Sequence, residues 1–180
     1  MMTKMNRRMA IVGAAAGLAV VAGSAGVALA ADDRPATAPG QARHAVSQPA
    51  QVITIDSAIK AAQATLDAAE KGGHKVTVVV MDRSGVVRVT LHGDGAGPQT
   101  DESAKRKAFT AVSFGQPTSA LAARAGGTNP SVRDIPGTLF LGGGVPITVD
   151  GAPIAAIGVG GAPSGDLDEQ YAQAGLAVLR

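Results

Sequence analysis

The chain has no cysteine and no tryptophan, and its 180 residues include only three Phe, one Tyr and three His. Without cysteine there is no disulfide, no thiolate nucleophile and no thiolate metal ligand, so an exported domain of this sequence is held by its core alone. Aromatic side chains make up 2% of the chain, too few for the stacking platforms that single-stranded nucleic acids need. The histidines, His44, His74 and His92, stand far apart and show no metal-ligand spacing. No G-x-S-x-G nucleophile elbow is present. The glycine-rich stretch HGDGAGPQ (His92–Gln99) lacks both a Gly-Lys-Ser/Thr ending and G-x-G-x-x-G spacing, which argues against a phosphate loop.

Positive charge is concentrated at the start. Met1–Arg8 carries Lys4, Arg7 and Arg8, and Ala10–Ala30 follows without a charge and ends Ala28-Leu29-Ala30. A basic start, an apolar middle and an A-x-A end predict an export signal over 1–30 and a secreted protein. The competing reading, a membrane span, is weakened by the Gly and Ala content of the run. Arg7 and Arg8 before the apolar run match a twin-arginine signal, which exports folded proteins. Three of the 16 basic residues and none of the 14 acidic ones precede Ala31, leaving 13 against 14 and a net charge of −1. No nucleic-acid partner is expected of such a surface. Residues 31–52 read as a flexible tail of Pro, Ala, Asp, Gln and Ser, and 53–180 as one domain.

Within that domain the apolar pattern alternates between helical and strand periods. Ile55, Ala58, Ile59, Ala62, Leu66 and Ala69 predict a helix capped by Thr54 and stopped by Gly72-Gly73. Val76–Met81 and Val86–Leu91 predict a hairpin, the first strand buried on both faces and the second wet on one. Thr100 is expected to cap a helix to about Gly115 with Ala104, Ala108, Ala111 and Val112 inward, and Pro117–Ala125 to form a short helix. Leu139–Leu141, Val145–Val149 and Pro153–Val159 then read as a three-strand meander turning at Gly142-Gly143-Gly144 and Asp150-Gly151. The last of these strands is expected at the sheet's centre, with Pro146 and Pro153 at strand starts or an edge. A final helix opens at Ser164 or Asp166 and runs to the end, burying Leu167, Tyr171, Ala174 and Val178. The predicted fold is α+β, a five-stranded antiparallel sheet with packed helices.

Two acidic spots carry candidate chemistry. Asp166 and Glu169 lie three apart on a helix face, where they suit either one hard cation or a helix cap. Asp101 and Glu102 stand four residues before Lys105 and Arg106, which predicts two helix ion pairs. Lys105-Arg106-Lys107 reads as a solvated face that would attract carboxylates if it borders a pocket.

Four stretches, GDGAGPQ (Gly93–Gln99), ESAKRKAFTA (Glu102–Ala111), DIPGTLFLGGGVPI (Asp134–Ile147) and GVGGAPSGDLDEQYA (Gly158–Ala172), together resemble the GlcG/HbpS family across nearly all of 53–179. The resemblance implies a profilin-like sandwich assembled as a homo-octamer. It further implies haem (heme b) as cofactor, slow haem degradation, iron binding and service as accessory to a membrane sensor kinase of a two-component system. The family's other branch implies a small-molecule binder or enzyme of glycolate-type metabolism. By position, the haem-contacting threonine of a PGT motif falls on Thr138. Beside it, Gly137 leaves room for a flat ring, Ile135 and Pro136 offer an apolar wall, and Lys105 and Lys107 stand as propionate partners. An acidic iron motif falls on Asp166 and Glu169. A second keeps Glu102 as its first member, with Lys105 where the resemblance calls for another Glu.

Overall fold

A computed structural model describes residues 50–126 and 131–180. The export signal and nearly all of the tail expected before residue 53 lie outside the described residues. The elements run α1 (Ile55–Lys71), β1 (Thr77–Asp82), β2 (Val87–His92), α2 (Gln99–Phe114), α3 (Thr118–Ala122), a single 3-10 turn (Val132–Asp134), β3 (Gly144–Val149), β4 (Ala152–Gly160) and α4 (Gly165–Ala177). The strands form one antiparallel sheet in the order β2-β1-β4-β3, so β4 is central as its apolar sequence predicts. Asp150 (φ 51°) and Gly151 (φ 79°) make the expected tight turn between β3 and β4.

The sheet separates two cores. Val78, Val80, Val145, Ile157 and Val159 face α1 and α4, while Val79, Met81 and Ala156 face α2. Alternation along β4 makes the second face very shallow, because Ala156, Gly158 and Gly160 are the residues that point to α2. A Cβ on Gly158 would run into the carbonyl of Ala104 and the amide of Ala108. The alanines of α2 therefore lie almost on the strand's backbone. Across the other core, Gly175 of α4 meets Thr65 and the Ala61 carbonyl of α1 equally closely.

This close packing corrects two expected helix faces. On α1 the buried residues are Ala58, Ala61, Ala62, Thr65 and Ala69, while Ile55 and Ile59 stay exposed at 44% and 51%. On α4 they are Asp168, Tyr171, Ala172 and Gly175; of the expected row Tyr171 is buried and Leu167 packs partly buried on the core, while Ala174 and Val178 are half-buried. Small residues win both contacts because the elements approach too closely for branched ones. The α2 cap is also corrected. The helix starts at Gln99 after Pro98 without a side-chain cap, and the buried Thr100 hydroxyl donates instead to the Gly97 carbonyl at 2.6 Å.

Among the described residues the sheet has four strands, not five. Leu139–Leu141 is not a strand because its surroundings are helices. The Leu139 amide donates to the Thr110 hydroxyl of α2 at 2.8 Å, and Leu141 is 58% exposed. The triple glycine that follows is not a hairpin turn but a strap over a buried ion pair. Lys107 of α2 donates through Nζ to Asp168 Oδ2 of α4 at 2.7 Å and to the Val159 carbonyl of β4 at 2.9 Å, with both side chains about 5% exposed or less. Gly143, at φ 124°, passes so close that a Cβ would lie 2.9 Å from Lys107 Nζ and 2.8 Å from the Asp168 Cβ. Its carbonyl accepts from Val159 N at 2.8 Å.

Burial pushes the Asp168 carboxyl above its ordinary value, against the hydrogen bond and charge of Lys107 and the amide of Ala162 that pull it down. A folded value above the unfolded one contributes stability that is complete below the unfolded value and is lost as pH rises through the folded one. Asp168 thus adds no acid sensitivity. We expect Lys107→Met and Asp168→Leu each to cost about 3–5 kcal/mol, since each strands one buried charge, and the double variant to recover most of that loss. Urea midpoints check this.

Candidate functional site

With Lys107 turned into the protein, the opposite face of α2 carries Glu102, Lys105, Arg106 and Phe109, spaced as neighbours on one helical stripe. This stripe borders a cleft of about 310 Å³ whose other walls are Met81, Gly85 and Gly137. The Phe109 ring lies between two turns. A Cβ on Gly85 would sit 3.8 Å from it and one on Gly137 3.7 Å from it. Both glycines have positive φ, 80° and 83°, a conformation that L side chains rarely adopt, and their bare backbones leave the ring's surroundings open. Buried Met81 closes the floor, and the neighbours of the two turns, Val86 and Ile135, are 56% and 46% exposed. An apolar floor thus meets a rim of two cations and one carboxylate. A hollow of about 390 Å³ at the Asp150 turn is larger, but it holds none of the candidate ligand-binding or metal-binding residues.

The cations of the rim are unneutralised. Neither ion pair expected along α2 forms: Asp101 Oδ2 instead meets His92 Nδ1 at 2.9 Å. Arg106 Nη2 donates to the Thr138 carbonyl at 2.6 Å, while its Nε is buried without a hydrogen-bond partner. Among the described residues no carboxylate oxygen lies within 4 Å of Lys105 or Arg106.

The cleft brings together Gly137, Lys105 and Glu102 from the sequence-predicted set. Thr138 lies beneath it. It is 3% exposed, and its hydroxyl donates to the Ile135 carbonyl at 2.7 Å, closing the turn that presents Gly137. Lys107 is a correction, since its ammonium is consumed by Asp168 and Val159 and cannot meet a propionate at the surface. The cation that lines the cleft beside Lys105 is Arg106. Helical spacing from Glu102 would have found Arg106 and Phe109, and the position of Lys107 between Ala104 and Ala111 would have placed it inward.

Asp166 and Glu169 lie elsewhere, on the first turns of α4. Asp166 is exposed. Both oxygens of Glu169 are engaged: Oε1 accepts from Ser119 Oγ at 2.6 Å, and Oε2 from Ser119 N at 3.1 Å and Gly143 N at 3.3 Å. Glu169 therefore caps α3, whereas its own helix is capped by Ser164, whose Oγ accepts from Leu167 N at 3.3 Å. Among the described residues no group of three or more His, Cys, Asp or Glu is placed to hold a metal ion.

A family model described as "Haem degrading protein HbpS-like" matches residues 53–177. The crystal structure of HbpS is similar at 59% identity over 78% of this chain and 99% of that one, with a TM-score of 0.74. A double mutant of Streptomyces reticuli HbpS is similar at 58% identity over 81% and 99%, with a TM-score of 0.73. The structure of a PduOC:heme complex shares the fold at 23% identity over 71% and 94%, with a TM-score of 0.64. No curated protein sequence matches the chain. With the family model covering most of the chain and a solved relative at this identity, the chain belongs to the HbpS-like family.

Proposed function

We propose that this is a secreted haem-binding protein that takes haem at the cleft between α2 and the Gly85 and Gly137 turns. The observation that carries the reading is the pairing of an apolar, glycine-opened floor at Phe109 and Met81 with unneutralised Lys105 and Arg106 at its rim. A porphyrin presents that combination in one molecule, a flat apolar ring with carboxylates along one edge. The family description and the haem held by a fold neighbour support the same ligand. At about 310 Å³ the cleft is at the small end of ligand pockets and would enclose only part of a porphyrin.

The residues perform three tasks. Phe109 and Met81 supply apolar contact, and Gly137 and Gly85 let the ring approach the backbone. Lys105 draws a propionate to the rim by a charge-assisted contact. Thr138 holds the Gly137 turn through its hydroxyl and Arg106 through its carbonyl. Haem held there would supply a redox-active iron, the chemistry that slow haem degradation needs. Assembly as an octamer through the exposed Ile55 and Ile59 face, and service as an accessory to a sensor kinase, complete this reading. The alternative is a small-molecule binder of glycolate type, and the small cleft volume is what favours it.

Iron at Asp166 and Glu169 is a narrower proposal. Two carboxylates, one already serving three donors, do not make a resident centre; iron taken there is surface cargo held at the expense of the α3 cap. Glu169→Gln should lower stability by about 1 kcal/mol through that cap. Asp166→Asn, which touches no cap, should lower ferrous and ferric uptake with an unchanged urea midpoint. Equal iron uptake by Asp166→Asn and wild type would leave the pair structural.

Hemin titration followed in the Soret region tests the main reading. Phe109→Ala should weaken hemin binding about tenfold or more, the loss expected when an aromatic contact of about 1.5–3 kcal/mol is removed. Phe114→Ala serves as control, because Phe114 packs on Phe140 away from the cleft. Equal affinities for Phe109→Ala and wild type would move the haem elsewhere.

A further inference from the structure

Arg106 is the one described residue with a buried side-chain nitrogen or oxygen that lacks a hydrogen-bond partner. It is also a buried-edge cation without a counter-ion, on the wall of a cleft with an apolar floor. A buried donor left unmatched costs about 1–3 kcal/mol, so an acceptor brought to it recovers that cost as affinity. We propose that Arg106 is the carboxylate-recognising residue of the cleft, and that it makes the cleft selective for flat apolar acids over their neutral esters. The inference rests on the haem reading for one source of that acid, a porphyrin propionate. The other source is a free aryl-alkyl carboxylate, whose chemistry at the guanidinium is the same.

The geometry supports a planar oxyanion over other anions. A guanidinium binds a carboxylate through two parallel N–H groups, and here the unmatched Nε and the Nη2 that holds the Thr138 carbonyl belong to one planar fork. Because Nε is shielded from water, the fork must turn from the Thr138 carbonyl towards the cleft to take both oxygens. Ligand capture is thereby coupled to the Ile135–Thr138 turn, whose own bond, Thr138 Oγ1 to the Ile135 carbonyl at 2.7 Å, keeps it in place while Arg106 moves. Lys105 at the rim attracts anions but presents a point charge without that fork. Specificity for the carboxylate's shape therefore belongs to Arg106.

The test compares hemin with hemin dimethyl ester, which carries no carboxylate, by Soret titration of the full mature chain. Wild type should bind hemin about tenfold or more tightly than the ester, the effect of one charge-assisted hydrogen bond. Arg106→Gln should lose most of that preference, leaving only the part that the Lys105 charge supplies, and Arg106→Lys should recover some of it. Equal binding of hemin and ester by wild type overturns the proposal, as does an Arg106→Gln protein that keeps the preference or loses ester binding equally. If neither porphyrin binds wild type, the haem reading fails separately, and amide shifts with 3-phenylpropionate then decide. Shifts at Arg106, Gly137 and Thr138 that vanish in Arg106→Gln support the carboxylate site with a free acid as ligand; their absence in wild type overturns it.

Discussion

The ion pair between Lys107 and Asp168 fixes the arrangement on which the rest depends. One ammonium joins three elements, since it meets the carboxylate of Asp168 on α4 and the Val159 carbonyl of β4 while standing on α2. A buried cation tolerates little freedom, because any rotation of α2 would strand it without a partner. The helix is thereby locked in phase, with Ala104, Ala108 and Ala111 on the glycine face of β4. The same phase sends Glu102, Lys105, Arg106 and Phe109 to the outside. The cleft is thus the reverse side of the ion pair, and the site's orientation is a consequence of core electrostatics.

Glycine is used here for proximity as much as for turning. Gly158 and Gly160 lower the sheet under α2, Gly175 admits α1 to α4, and Gly143 lies over the ion pair. Each contact replaces side-chain volume by backbone closeness, which is how a chain with few aromatics builds a dense core. The cost is intolerance of added atoms at those positions. Gly85 and Gly137 do the reverse at the surface, where the volume they omit is left open beside Phe109.

This distinction explains what the sequence made legible. Strong local signals read correctly: the valines of β1, the Asp150-Gly151 turn, the central place of β4 and the extent of α1. Signals that depend on what an element meets did not. Gly142-Gly143-Gly144 looks like a turn in isolation, and only the helices that close on it make it a strap. Leu139–Leu141 has strand composition, yet its amide finds a helix hydroxyl before it finds a strand. Lys107 read as part of a solvated face because 61 residues separate it from the carboxylate that neutralises it. At the site, Gly137, Lys105 and Glu102 were visible from motif resemblance, whereas Arg106 became distinctive only through its missing partner.

The central claim is that haem lies against Phe109 between the two glycine turns. Paramagnetic ferric iron broadens nearby amide signals, so backbone NMR of residues 31–180 with substoichiometric hemin locates it directly. The account predicts selective broadening at Gly85, Arg106, Phe109 and Gly137, with Asp166 and Glu169 unaffected. Broadening centred on α4, or on the hollow at Asp150, with the Phe109 cleft unchanged, would contradict it.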